Sequence, residues 1–371
     1  VDPEVVTAMN PFFSVHFGNP SSLYSIAETS RDAMEASRET IASFIHASPR
    51  EIIFTSGGTE SDNQAIFSVA RSQKNKGSHL ITSSIEHHAV LHAFRQLEKE
   101  GFTVTYLPVD SDGIVPSSAL EKALTPTTTL VSIMHANNEV GTIQDIQNLS
   151  RITHSVGALF HTDAVQAIGK VPIDVEAMHI DYLSSSAHKL YGPKGIGFLY
   201  AKKGIPLTSY LYGGGQERKK RPGTENVPSI VGYGKAVELA QKRFQADHTY
   251  LQTLASFLIE GIQNTINDVV FTGHPTQRTP GHVSCCFKHI EGESILLMLD
   301  SHGICVSSGS ACTSGNLDAS HVLLAMGLDS ATAQGSIRFT MGRNNTIEDM
   351  KAVLNVLPGI VEKLRKMSPL C

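Results

Sequence analysis

Short apolar runs rich in β-branched and aromatic residues recur along the first two thirds of the chain, at 51–54, 79–83, 103–107, 130–135, 158–162, 182–185 and 196–200. Each has strand length, and amphipathic stretches such as 61–73 separate several of them. The runs are continuous rather than alternating, as expected of strands covered on both faces. The alternation with helices therefore predicts an α/β domain built on a mostly parallel, buried sheet. Beyond a long helical stretch near 237–266 the pattern changes. Strand-like 269–271 and 282–287 precede a helix at 294–302, and 346–366 reads as a terminal helix. These elements predict a smaller α+β domain over 246–371, with the large domain over 16–245 and residues 1–15 packing near the small one.

Composition narrows the function classes. Hydrophobic residues make up 41% and charged residues 18% of 371, which suits an ordinary globular protein. A net charge of -5 gives no electrostatic reason to expect direct nucleic-acid binding. The basic run Arg218, Lys219, Lys220, Arg221 reads as a solvated loop. No stretch reaches the roughly 18 apolar residues that span a bilayer. The five cysteines (Cys285, Cys286, Cys305, Cys312 and Cys371) include no C-x-x-C pair, so neither a disulfide framework nor a metal site is expected. A reducing, cytoplasmic setting is the expectation. The chain starts at Val1 rather than Met, so an organellar signal ahead of it stays open.

Three segments carry candidate chemistry. In 51–63 an apolar strand runs into Gly57-Gly58-Thr59 and then a helix, which reads either as a phosphate cradle or as an ordinary glycine-rich turn. Asp163 and Lys189 each end an apolar run. Ligands of open parallel sheets gather at the carboxyl ends of strands. A lysine amine for a Schiff base and an acid for a pyridine nitrogen are what pyridoxal phosphate (PLP) requires, although a helix cap and a solvated lysine are the plain alternatives. Cys312 lies among small residues in 306–315, where a thiol would be exposed, whereas Cys285, Cys286 and Cys305 read as buried. A metal shared by His87 and His88 is disfavoured, because neighbours on a strand point to opposite faces.

Taken in order, Thr55-Ser-Gly-Gly-Thr-Glu-Ser-Asp-Asn63, Glu86-His87, Met134-His-Ala-Asn-Asn-Glu-Val-Gly141, His161-Thr-Asp-Ala-Val-Gln166, Ser186-Ala-His-Lys189 and Ser307-Ser-Gly-Ser-Ala-Cys-Thr-Ser314 resemble the NifS/IscS-type cysteine desulfurases. These belong to the class V group of fold-type I PLP-dependent transferases, and the loop ending in Ser314 matches their group I branch. The resemblance spans nearly the whole chain. It implies that Lys189 carries PLP and later moves protons, that Asp163 pairs with the pyridine nitrogen, and that Gln166 bonds the phenolic oxygen. Gly58, Thr59, Ser186 and His188 would hold the phosphate, with Thr224 reaching the phosphate of a second copy in a homodimer. His87 would stack on the ring and take part in proton transfer. Asn138 would lie near the substrate, and Arg338 would bind its carboxylate, with Arg343 the alternative. L-cysteine would lose its sulfur to Cys312 as a persulfide, leaving alanine, and the sulfur would pass to an acceptor protein such as an iron–sulfur scaffold.

The sequence departs from the pattern at Tyr24, where a histidine is usual. Selenocysteine lyase, cysteine sulfinate desulfinase and aminotransferase are the rival enzyme readings, and Cys312 disfavours the last. A non-catalytic scaffold for iron–sulfur assembly is the rival outside enzymes, disfavoured by the intact Lys189 and Cys312. A nicotinamide dehydrogenase is disfavoured by the absence of G-x-G-x-x-G.

Overall fold

The computed structural model describes residues 1–309 and 319–368. Cys312 and Cys371 lie outside the described residues. The chain divides into two units: Val1–Leu107, Ser117–His135 and Gln144–Arg243 form the first, and Pro108–Pro116, Ala136–Ile143 and Phe244–Cys371 the second. The domain expected over 16–245 thus gives up two short segments, 108–116 and 136–143, to the second unit. Residues 1–15, expected beside the C-terminal domain, fall in the first unit. The reason is local: Val5 is buried in a cluster with Ala236 and Leu239, and Asp2 accepts a hydrogen bond from Arg243 at 3.0 Å.

The first unit is built on seven strands: β1 (Ile52–Thr55), β2 (His79–Ser83), β3 (Thr103–Leu107), β4 (Thr128–Ser132), β5 (Leu159–Asp163), β6 (Tyr182–Ser186) and β7 (Gly197–Ala201). Their order is β1-β7-β6-β5-β4-β2-β3. The four pairings from β3 to β6 are parallel, and β7 runs antiparallel to both of its neighbours. Every residue of β1, β2, β4, β6 and β7 is buried, which accounts for their continuous apolar or small-residue character. Helix Gly58–Ser72 turns Ala65, Ile66, Phe67, Val69 and Ala70 into a core with Leu80, Leu130 and Leu199. Burial of such side chains stabilises by roughly 1.5–3 kcal/mol each.

The second unit holds an antiparallel sheet of β8 (Val269–Phe271), β9 (His282–Phe287) and β10 (Ser336–Thr340), in the order β10-β9-β8. Its core gathers Leu258, Ile262, Val283, Phe287, Leu299, Ile337 and Leu357. The long helix runs Val227–Thr265, beginning ten residues before the predicted stretch. Among the described residues no helix is long and apolar enough to cross a membrane.

Two expectations about side chains change. Cys285 and Cys286 are buried on β9, but Cys305 is exposed. Its neighbours Ile304 and Val306 pack against the core of the second unit, and Cys305 between them is left facing solvent. The basic run is not a freely solvated loop. Arg218 donates to the carbonyl of Ile52 at 2.7 Å, Lys220 to that of Leu207 at 2.7 Å, and Arg221 pairs with Glu60 at 2.9 Å. Strand β1 is an edge, and Arg218, with Glu217 accepting from the Phe54 N–H at 2.9 Å, satisfies main-chain groups that no neighbouring strand reaches.

Candidate active site

The carboxyl ends of β1, β5 and β6 supply the first unit's cluster of polar groups. After β1 the chain turns through Gly57 at φ +154°, a region that L side chains rarely adopt, and helix Gly58–Ser72 begins at once. A Cβ on Gly58 would stand 2.6 Å from Val165 Cγ2, so only glycine lets the helix start approach the segment after β5 this closely. The turn is pinned by Glu60, whose carboxylate accepts from the Ser56 N–H at 2.7 Å. Arg221 and these hydrogen bonds hold Glu60 below the usual carboxylate range, against the burial that alone would raise it. Beside Gly57 lies Ser186, whose Oγ is 2.8 Å from His188 Nδ1. The result is a helix start with unpaired N–H groups, a glycine turn, two hydroxyls (Thr59 and Ser186) and an imidazole, a donor set suited to a phosphate.

Asp163 ends β5 and is buried. Its Oδ1 accepts from the Val165 N–H at 2.9 Å, and its carbonyl accepts from the His135 N–H. Burial raises its pKa, and the Val165 hydrogen bond, His87 and Lys189 pull it back. His87 and Lys189 thus act on the same carboxyl. Lys189 sits on a 3-10 turn, Ala187–Leu190, that Tyr191 closes in the left-handed conformation at φ 60°. His87 is not on a strand, as the sequence suggested. It caps helix His88–Lys99, with Nδ1 accepting from the Ala89 N–H at 3.2 Å. That bond leaves Nε2 as the protonated nitrogen of the neutral ring. Gln166 is half-buried, and its Oε1 accepts from Lys170 Nζ at 3.3 Å.

Behind Asp163 lie two carboxyls to which the sequence motifs assigned no role. Glu86 is fully buried, with Oε1 accepting from Ser83 Oγ at 2.5 Å and from the Met134 N–H at 2.9 Å. Burial pushes its pKa up to about 8 despite those bonds. Asp62, on the buried face of helix Gly58–Ser72, is raised well above the carboxylate range by burial and by Asp163 and Glu86. His161 bridges Ser132 Oγ at 2.7 Å and Ser184 Oγ at 2.9 Å, and burial lowers its pKa to about 3, so it is neutral. The signal in the sequence is an acid inside an apolar run, but only burial reveals its proton affinity.

The remaining candidates lie elsewhere. Thr224 is exposed in the first unit, in the segment that follows Arg221. Asn138 and Arg338 belong to the second unit, where Arg338 Nη1 donates to the Asn138 carbonyl at 2.6 Å. Arg338 Nε is buried with no hydrogen-bond partner among the described residues. Arg343 Nε lies 3.6 Å from Asp247 Oδ2. No group of three or more His, Cys, Asp or Glu suited to a metal is found among the described residues.

The class-V aminotransferase family matches residues 1–353. The chain is 52% identical to the cysteine desulfurase IscS of Methanosarcina thermophila over 100% of this chain and 91% of that protein. A solved NifS-like protein superposes with a TM-score of 0.93 at 39% identity, covering 98% of this chain and 97% of that one. The structure of SspA in complex with cysteine gives 0.79 at 36% identity, covering 92% and 95%. Matches of this extent reach both units at once, and the chain belongs to the class-V aminotransferase family and, within it, to the cysteine desulfurases.

Proposed function

We propose that this cysteine desulfurase binds PLP through Lys189 and takes the sulfur of L-cysteine onto Cys312, releasing alanine. The observation that carries the reading is the buried Asp163 carboxyl, on which both Lys189 and His87 act, beside the Gly57–Gly58 helix start. The donor set fits the cofactor. Gly58, Thr59, Ser186 and His188 offer N–H, hydroxyl and imidazole donors to a phosphate, and Asp163 offers a carboxylate to a protonated ring nitrogen. Such a cation would draw Asp163 to its ionised form, against the burial that now favours its proton. Gln166 would hold the phenolic oxygen.

Bound there, PLP supplies an electron sink for charge developing at the substrate Cα. Lys189 Nζ would remove and return the proton at that carbon, and His87 Nε2 would hold a proton nearby. Arg338, with its unpartnered Nε, suits the substrate carboxylate better than Arg343, which Asp247 already engages. Asn138 would keep Arg338 oriented through its carbonyl. The Cys312 thiolate would attack the substrate sulfur: the S–S bond forms as the Cβ–S bond breaks, and that electron pair, with protons, ends in alanine.

Thr224 would serve the phosphate of a second copy in a homodimer. Leu23 and Tyr212, each fully exposed large side chains, support such a partner. The persulfide sulfur would go to an acceptor protein such as an iron–sulfur scaffold, in the reducing cytoplasm. The test incubates the PLP-loaded protein with L-cysteine and a thiol reductant and measures sulfide and alanine. Equal yields from the parent, lost in Cys312→Ala, are expected. Alanine that forms without Cys312 would mean a different lyase chemistry.

A further inference from the structure

Helix His88–Lys99 carries two histidines, His88 and His92, to which the desulfurase chemistry assigns no role. Val90, Ala93, Phe94 and Leu97 turn one face of this helix into the core of the first unit. The two histidines stand off that stripe, His88 half-buried and His92 exposed. Residues four apart on a helix lie one above the other, so their side chains can meet. These do meet: the ring centroids are 5.1 Å apart and the ring planes 32° apart. The adjacent rings of His87 and His88 are farther apart, at 6.3 Å and 54°, and His87 Nδ1 already accepts from the Ala89 N–H.

The closer separation is one that a metal ion requires. With metal–nitrogen bonds of about 2.0–2.1 Å and a near-tetrahedral angle, two imidazole centroids held by one ion stand roughly 5 Å apart. Histidines at i and i+4 on a helix present both rings to a single ion. The helix fixes both backbones, so closing the chelate needs only rotation about side-chain bonds. Arg95, three residues beyond His92, acts on the Tyr106 hydroxyl, which donates to Glu98 at 3.1 Å, so its charge is partly balanced away from the pair. The start of a helix carries partial positive charge and opposes any cation held by charge alone. That selects ions that bond imidazole well, Cu²⁺, Ni²⁺ and Zn²⁺, over Mg²⁺ and Ca²⁺, which prefer oxygen. No group of three or more ligating residues is found among the described residues, so water beside the exposed His92 would complete the coordination.

We propose that His88 and His92 form a two-histidine site for a late first-row divalent cation, binding Cu²⁺ more tightly than Ni²⁺ or Zn²⁺. Nothing in this site depends on PLP or on Cys312. The rival account of the 5.1 Å separation is a plain contact between neutral rings. His92→Phe separates the two accounts, because a phenyl ring keeps the contact and removes the nitrogen. His92 is exposed, so the change should leave folding intact.

The PLP-loaded full chain, its accessible thiols first blocked with iodoacetamide, is titrated with Cu²⁺ in a non-chelating buffer. Bound copper is counted, and electron paramagnetic resonance reads its nitrogen couplings. The difference between parent and His92→Phe is taken, so copper on the chain's other histidines cancels. The parent is expected to hold about one more equivalent per chain, with couplings from two nitrogens, and His88→Phe should lose the same equivalent. Ni²⁺ and Zn²⁺ in excess should displace that equivalent, and Mg²⁺ at roughly hundredfold excess should not. If His88→Phe does not fold, His92→Ala takes its place as the second variant. Equal copper and equal couplings in parent and His92→Phe would overturn the proposal and leave the plain ring contact. Displacement by Mg²⁺ would overturn it too, since a site held by charge alone is not a two-imidazole chelate.

Discussion

The proposed cofactor side of this chain and the Asn138–Arg338 junction of its second unit are held by bonds of very different reach. In the first unit, four of the polar contacts join neighbours a few residues apart, Asp163 with Val165, His87 with Ala89, Ser186 with His188 and Ser56 with Glu60, while Arg221 and the Met134 N–H reach Glu60 and Glu86 from afar. Each pair sits at the end of a strand or the start of a helix, so forming the element also forms the site. In the second unit, Asn138, Glu139, Ser320 and Arg338 meet only once segments 181 and 200 residues apart have packed. The local pairs of the first unit form with their own element, whereas the junction of the second unit forms only when distant segments of that unit have packed.

The largest test of that contrast removes one reactive group from each side. Lys189→Ala and Cys312→Ala should each lower alanine formation by roughly a thousandfold or more. Only Lys189→Ala should lose the absorbance of lysine-bound PLP, and a spectrum equally lost in Cys312→Ala would break the division. Next comes the arginine assignment. Arg338→Met should raise KM for L-cysteine about a hundredfold, since a charge-assisted bidentate contact is lost, while Arg343→Met should stay within about threefold. Steady-state kinetics decide it, and the reverse order would move the carboxylate to Arg343.

A smaller effect is expected at Gly58. Gly58→Ala places a Cβ against Val165 Cγ2 and should weaken PLP binding about tenfold, with Val165→Ala restoring part of it in the double variant. Independent effects of the two changes, read by cofactor titration, would show that the close approach does not govern the cradle.

The smallest prediction concerns Glu86. Its folded pKa of about 8 lies above the ordinary carboxyl value, so between the two the folded state keeps a proton that the unfolded chain has lost. Stability should therefore fall as pH rises through that window and level off above about 8. Glu86→Gln, which imitates the protonated carboxyl, should flatten this fall and stabilise the cofactor-free protein by about 1 kcal/mol at pH 9. Urea unfolding at pH 6 and pH 9 measures it, and parallel profiles for parent and variant would mean that Glu86 ionises as it does in water.

Legibility follows the same division. Lys189, Asp163 and the Gly57–Gly58 turn stand out in the sequence because each interrupts or ends an apolar run. Of the strands β1 to β10, only β10 is absent from the predicted runs, although its Ser336-Ile-Arg-Phe stretch carries the candidate Arg338. Asp62 and Glu86 stand inside the family-like motifs without a role, because their raised proton affinity comes from burial and from repulsion by Asp163, to which Glu86 adds at Asp62. Cys305 departs from expectation for a related reason. An apolar neighbourhood in sequence, Ile304 and Val306, does not bring a covering layer in space.

The order of hydrophobic runs by itself determined the buried sheet and its alternating helices, since strand and helix periodicities are local and the runs must be covered on both faces. It also determined which residue types stand at strand ends, and through them the family. Only the tertiary structure decided that segments 108–116 and 136–143 join the second unit, that Arg221 clamps Glu60, and that Glu139 meets Ser320. Such pairings depend on which distant groups are left without water or backbone partners once the core closes, and no periodicity in the chain encodes that remainder.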